Sequence, residues 1–175
     1  SLVREASRAA RAAGNHVLFG QCLRFGADVT SYVPITQALT QWLRTSTSES
    51  RVRLAPRGIL DDLVPALNDP SAGVAMLQIG TVLDALQADR PTVLVLDDLQ
   101  WSDPSSLDAL SYLVAGFVTG HRLCLLATYR DTDLGEGHRL HGWLADTLRM
   151  PSVSQLQLGR MDAWELEEMI LARGA

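Results

Sequence analysis

"PTVLVLDDLQWSDPSS" occupies Pro91 to Ser106, and its reading decides the fold. Four apolar residues, Val93 to Leu96, run consecutively instead of alternating with polar ones. A strand covered on both faces reads this way, and such strands occur in parallel sheets flanked by helices. The strand ends on two adjacent carboxylates, Asp97 and Asp98. Asp103 and Pro104 then supply an N-cap and a first-turn residue for a helix. That helix carries Leu107, Leu110, Leu113, Val114 and Phe117 at helical spacing.

The flanking segments repeat the alternation of helix and strand. Residues 1–13 place Leu2, Val3, Ala6, Ala9, Ala10 and Ala13 on one helical face, with Gly14 and Asn15 as the stop. A short strand follows around Val17 to Gly20. Pro34 opens a second helix with Ile35, Ala38, Leu39, Trp42 and Leu43 along its stripe. "RTSTSESRVR" is polar without apolar period and reads as a solvated loop. Ile59, Leu60, Leu63, Val64 and Leu67 suggest a further helix, and another runs to about Ala88. Leu123 to Thr128 is a second fully buried strand, and "YRDTDLGEGH" is a polar loop. Leu140, Trp143, Leu144 and Leu148 form a helix face. "VSQLQLG" alternates, which predicts a half-exposed strand near a sheet edge. Asp162 and Glu165 open a last helix. Helices alternating with strands, with connections long enough for crossovers, predict an α/β fold with a parallel sheet.

Composition narrows the function. A chain of 175 residues that is 47% hydrophobic can build one domain with a core. The net charge of -5 argues against a nucleic-acid-binding surface, which is usually basic. No apolar run approaches the ~20 residues of a membrane span, and the amino terminus lacks the apolar stretch of a signal peptide. The two cysteines, Cys22 and Cys124, lie in predicted strands and read as buried, reduced thiols of a cytoplasmic protein. All 15 basic residues are arginine; there is no lysine.

In an open parallel sheet, ligands bind beyond the carboxyl ends of the strands, where Asp97 and Asp98 sit. An apolar strand ending in acids is the pattern of a Walker B element, in which one carboxylate holds Mg²⁺ and its neighbour orients water. A bland reading stands beside it: both aspartates cap the following turn. The longer stretch "LVLDDLQWSDPSSLDAL" closely resembles the Walker B region of the AAA-like ATPase modules in large ATP-binding LuxR-type transcription regulators. Those modules belong to the STAND class of P-loop signalling ATPases, and the same module also occurs fused to cyclase or kinase domains. The resemblance extends over nearly the whole chain. "LVREA" is similar to the helix after the phosphate loop. "VLFGQCLRFGADVTSYVPITQAL" is similar to the second strand and a tyrosine-proline segment, here Tyr32 and Pro34. "LCLLATYRD" is similar to the sensor strand, and "LQLGRMDAWELEEMI" to the last strand and helix.

The resemblance implies a three-layer P-loop NTPase fold, with ATP and Mg²⁺ as cofactors. It makes Asp97 the magnesium-associated carboxylate, acting through water, and places Asp98 where a water-orienting acid is expected. Asp is shorter than Glu, so a slow switch fits better than rapid hydrolysis. Thr128 and Arg130 end the sensor strand, with Arg130 sensing the γ-phosphate; its bland reading is a surface arginine beside Asp131 and Asp133. Trp101 and Asp103 are assigned structure, a packed indole and a helix cap. Tyr32 and Pro34 border the nucleotide or only pack the loop. The implied partners are ATP and other domains of a parent chain, with DNA bound only through a domain outside this chain, no membrane, and a nucleotide-dependent oligomer compatible with the class.

The phosphate cradle of that class is G-x-x-x-x-G-K-[ST]. The 175 residues contain no such motif, and could not, having no lysine. The glycines of "LGEGH" do not substitute, since no lysine follows them. Ser1 falls at or one residue past the motif's hydroxyl position, so it is not assigned to magnesium. The expectation is therefore a single partial ATPase domain over residues 1–175. It lacks the first strand and phosphate loop and is cut at its carboxyl end. Alone it is expected to be marginally stable, prone to aggregate and inactive as an ATPase. The alternative is a non-catalytic interaction module on a degenerate scaffold. A metal-dependent hydrolase using Asp97, Asp98, Asp103 and His121 is disfavoured, because His121 precedes its strand. His16 has the same problem, and His138 and His141 read as surface residues of a helix.

Overall fold

The computed structural model describes residues 2–24, 31–50, 72–116 and 121–159, together with 164 and 167. Helix α1 spans Leu2–Ala12 and leads into strand β1, His16–Gln21. Helix α2 is Val33–Thr45 and helix α3 is Ala72–Asp89. Strand β2, Thr92–Asp97, ends in a 3₁₀ turn at Leu99–Trp101. Helix α4 covers Pro104–Ala115, strand β3 Leu123–Ala127, and helix α5 Arg139–Thr147, with a second 3₁₀ turn at Asp131–Asp133.

The three strands form one parallel sheet in the order β1-β2-β3. The opening stretch therefore supplies the central strand. Its register sets Asp97 beside Gln21 on β1 and Leu96 beside Ala127 on β3. Consecutive apolar residues are needed here because Leu94, Val95 and Leu96 are all buried, although successive side chains point to opposite faces. One face packs Leu18, Leu94 and Leu96 against α2, α3, α4 and α5, through residues such as Leu39, Leu83, Leu110 and Leu140. The opposite face joins Val17 and Val95 to Val3 of α1. Each fully buried Leu or Val contributes roughly 1.5–3 kcal/mol of transfer free energy, so the multi-helix face supplies most of the core. At Gly20, a Cβ would lie 2.0 Å from the Pro34 carbonyl oxygen. Only glycine lets the start of α2 approach β1 this closely.

Most expected elements appear within a residue or two of their predicted limits. Several expectations need correcting. The buried stripe of α1 is Val3 and Ser7, with Ala10 partly covered, whereas Leu2, Ala6, Ala9 and Ala13 face solvent. The Ser7 hydroxyl donates to the Val3 carbonyl at 2.7 Å, so its polar atom is satisfied inside the helix. Strand β3 is not buried along its length: Leu123 is buried, Cys124 and Ala127 are exposed, and Leu125 and Leu126 are intermediate. Among the described residues β3 pairs only with β2, and α1 lies over β1 and β2. Cys124 is thus an exposed free thiol, while Cys22 is buried as expected. Residues 153–159 form no strand; Leu156 and Leu158 are 85% and 69% exposed. Alternation marks a strand only when another strand offers backbone partners. The polar stretch 44–53 also holds more helix than its composition suggests, since α2 runs to Thr45 and residues 48–50 are helical. The helix expected at residues 59–67, Phe117, and the cap pair Asp162 and Glu165 lie outside the described residues.

Candidate functional site

The carboxyl ends of β2 and β3 bring together all four residues assigned from the sequence. Thr128, one residue beyond β3, donates its hydroxyl to Asp97 Oδ1 at 2.5 Å. The Thr128 hydroxyl oxygen in turn accepts the Asp98 backbone N–H at 3.0 Å. Two main-chain bonds fix this crossing: Thr128 N–H to the Leu96 carbonyl, 3.0 Å, and Leu99 N–H to the Thr128 carbonyl, 2.7 Å. On its other flank Asp97 accepts the Cys22 N–H through its main-chain oxygen at 2.9 Å. Its second carboxylate oxygen, Oδ2, takes no hydrogen bond among the described residues. Both aspartates are partly exposed.

Asp98 has φ 61 and ψ 51, the left-handed region. Asp tolerates that conformation better than most residues. The turn ends the strand and aims the Asp98 carboxylate toward the loop after β3, where Arg130 Nε lies 3.4 Å from Asp98 Oδ1. The Arg130 side chain is 69% exposed and the Asp98 side chain 22%. Gln100, only 4% exposed, lies beneath them. Its Oε1 accepts the Arg130 N–H, and its Nε2 donates to Asp98 Oδ1 and Asp133 Oδ2, each at 3.3 Å. Sequence reasoning missed Gln100, because a lone glutamine in a loop carries no pattern.

A second polar knot anchors the neighbouring loop. Asp103 Oδ1 accepts the Ser106 N–H at 2.9 Å as the N-cap of α4, and Oδ2 accepts the Ser106 hydroxyl at 2.7 Å. Asp103 Oδ1 also accepts the Tyr32 N–H at 3.1 Å. The predicted cap is therefore also a tether across 71 residues of sequence. Tyr32 is buried with φ 62, an uncommon conformation for a bulky residue that Asp103 helps to hold. Its phenol is pushed up by burial and by the charges of Asp108 and Asp103. Pro34 is buried at the start of α2. Trp101 is partly buried against the main core, with the Arg24 guanidinium 5.0 Å from its ring centre. Burial pushes the Cys22 thiol up to about 12; a Ser102 hydrogen bond opposes this, and the charges of Asp103, Asp98 and Asp97 add to it.

The AAA ATPase domain family matches residues 1–126. The chain belongs to that family. The matched span runs from α1 into β3, so it includes Asp97 and Asp98 and stops two residues before Thr128. No curated protein and no solved structure matches the chain. An AAA ATPase domain is a nucleotide-binding module that works with Mg²⁺, and the residues at the end of β2 fit that ion in kind. They offer hard carboxylate and hydroxyl oxygens, which suit magnesium. Among the described residues no group of three or more His, Cys, Asp or Glu side chains could hold a metal ion. Magnesium characteristically takes one or two carboxylates plus water and phosphate oxygens. The histidines take no part: His16 opens β1 and His121 precedes β3, both at the opposite end of the sheet, and His138 caps α5 by accepting the Leu140 N–H. Among the described residues no helix is long and apolar enough to cross a membrane.

Proposed function

We propose that this AAA ATPase domain is the body of a magnesium-dependent ATP switch in a multidomain signalling or transcription regulator of the LuxR-type STAND class. The observation that carries the reading is Thr128, which holds Asp97 by its side chain and Asp98 by its backbone at the carboxyl end of the central strand. Asp97, with Oδ2 available, is the magnesium-associated carboxylate. Thr128 restricts its rotation. Asp98 accepts from and orients the attacking water, and Arg130, on an exposed side chain, reaches the γ-phosphate. Bound magnesium would offset the charge of the phosphates. A short, ion-paired Asp98 in place of a longer acid favours slow turnover, as a switch requires.

Tight ATP binding needs a phosphate cradle, and the 175 residues carry no glycine-rich loop ending in lysine. The edge of β3, unpaired among the described residues, supports a further strand of the parent protein pairing there and presenting that loop. The test is Mg-ATP binding by the full-length protein and by its Asp97→Asn variant. Loss of the magnesium dependence with the melting temperature retained supports the assignment. Unchanged magnesium-dependent binding and turnover overturns it.

A further inference from the structure

We infer that Gln100 is a positioning residue that sets Asp98 and Arg130 against each other and thereby tunes discrimination between ATP and ADP; the inference rests on the ATP-switch reading. Three hydrogen bonds carry it. The Arg130 backbone N–H can only donate, so the oxygen it meets must be Gln100 Oε1. The amide orientation is then fixed, and Nε2 must face the carboxylates of Asp98 and Asp133. Ionised carboxylates only accept, so a donor is the one complement they can use. No other side chain of this length meets all three demands: methionine offers no N–H, and glutamate would add a third carboxylate.

The amide therefore ties the turn after β2 to the turn after β3 from below. It places the Arg130 main chain directly, while the Arg130 guanidinium stays on the surface and pairs with Asp98. A surface ion pair is worth only about 0–1 kcal/mol, so Arg130 can leave Asp98 for a more highly charged phosphate at little cost. Arg130 then departs from a defined position, and Asp98 stays in place because Gln100 still donates to it. Loss of Gln100 affects the two neighbours differently. Displacing Arg130 weakens the response to the γ-phosphate, which ADP lacks. Releasing Asp98 lowers turnover.

The experiment uses the full-length protein. Affinities for Mg-ATP and Mg-ADP and the turnover rate are measured for wild type, Gln100→Met, Gln100→Glu, and Gln100→Glu combined with Asp133→Asn. Met keeps the length of the side chain without its polar atoms. The expected result is a loss of ATP-over-ADP preference of about three- to tenfold in Gln100→Met, the equivalent of one net hydrogen bond. ADP affinity should change less than about twofold, since ADP does not meet Arg130. Gln100→Glu should lose at least as much. In the double variant, the amide introduced at position 133 can donate to the carboxylate introduced at position 100, which still accepts the Arg130 N–H. The ATP preference should then recover while turnover stays low. This pair decides the matter even if Gln100→Met fails to fold. An unchanged preference, a parallel fall in ATP and ADP affinity, or no recovery in the double variant overturns the role of Gln100 alone. Wild type that binds neither nucleotide overturns the ATP reading and this inference with it.

Discussion

The two ends of the sheet handle charge in opposite ways. At the amino end, His16 Nε2 lies 2.9 Å from Asp89 Oδ2, and their side chains are only 7% and 15% exposed. Trp42 meets the imidazole edge-on at 5.3 Å, and Arg90 Nε is 3.7 Å from the same Asp89 oxygen. The carboxylate there is answered within the chain and sealed by the core. At the carboxyl end, Thr128 donates to Asp97, Gln100 donates to Asp98 and Asp133, and the cation pairing with Asp98 is the largely exposed Arg130. Asp97 keeps an oxygen to spare. A carboxylate partnered inside the chain has little left for a ligand, whereas carboxylate oxygens at an open strand end are of the kind that magnesium takes.

The sharpest way to break this contrast is to remove one carboxylate at each end. Asp97→Asn in the full-length protein should lower magnesium-dependent ATP turnover about a hundredfold, comparable to losing one aligned electrostatic contact in an active site. Asp89→Ala should leave turnover within about twofold but destabilise the fold by ~1–3 kcal/mol, since it strands a buried partner. Denaturant melts and steady-state rates on the same two samples separate these outcomes. If Asp89→Ala abolished turnover at unchanged stability, the division between the ends would fail.

Asp103→Ala tests the border between structure and site. Loss of the α4 cap should cost about 1–2 kcal/mol, and loss of the Tyr32 tether should add to it. Restoring the cap with Asp103→Ser should recover part of the stability. A change below ~0.3 kcal/mol would mean that the tether and cap carry no weight.

The smallest effect concerns the thiols. Cys124 should react with a disulfide reagent in the native protein, and Cys22 only after unfolding. The Cys22 thiol is raised from 9.0 to about 12 in the folded state. Between those values the folded chain holds a proton that the unfolded chain has released, so stability falls as pH rises through that window. Cys22→Ala should flatten that alkaline slope. An unchanged slope would assign it to other groups.

How much of this was legible in advance varied with how local the cause is. The run Val93 to Leu96 announced a doubly covered strand, and Asp103 with Pro104 announced the next helix, because both signals act over a few residues. The placement of Asp97, Asp98, Thr128 and Arg130 at one end of the sheet followed from parallel topology. Their bonds did not, since Thr128 reaches Asp97 across 31 residues of sequence. Gln100 was illegible, because its meaning lies in the Arg130 N–H and the Asp133 carboxylate, 30 and 33 residues away. The α1 stripe and the alternating stretch 153–159 misled for a related reason. Periodicity shows which face could be buried, and only the neighbours decide whether it is.

The amino-acid sequence by itself determined the α/β class, a strand covered on both faces, its acidic end and the absence of lysine, since each depends on residue type and short-range order. The tertiary structure alone decided that Thr128 holds both aspartates, that Arg130 pairs with Asp98, that Asp103 tethers Tyr32, and that Gln100 joins two loops. Those contacts arise where the chain crosses itself, and hydrogen bonds are directional enough to exist there only when the packed strands set the geometry.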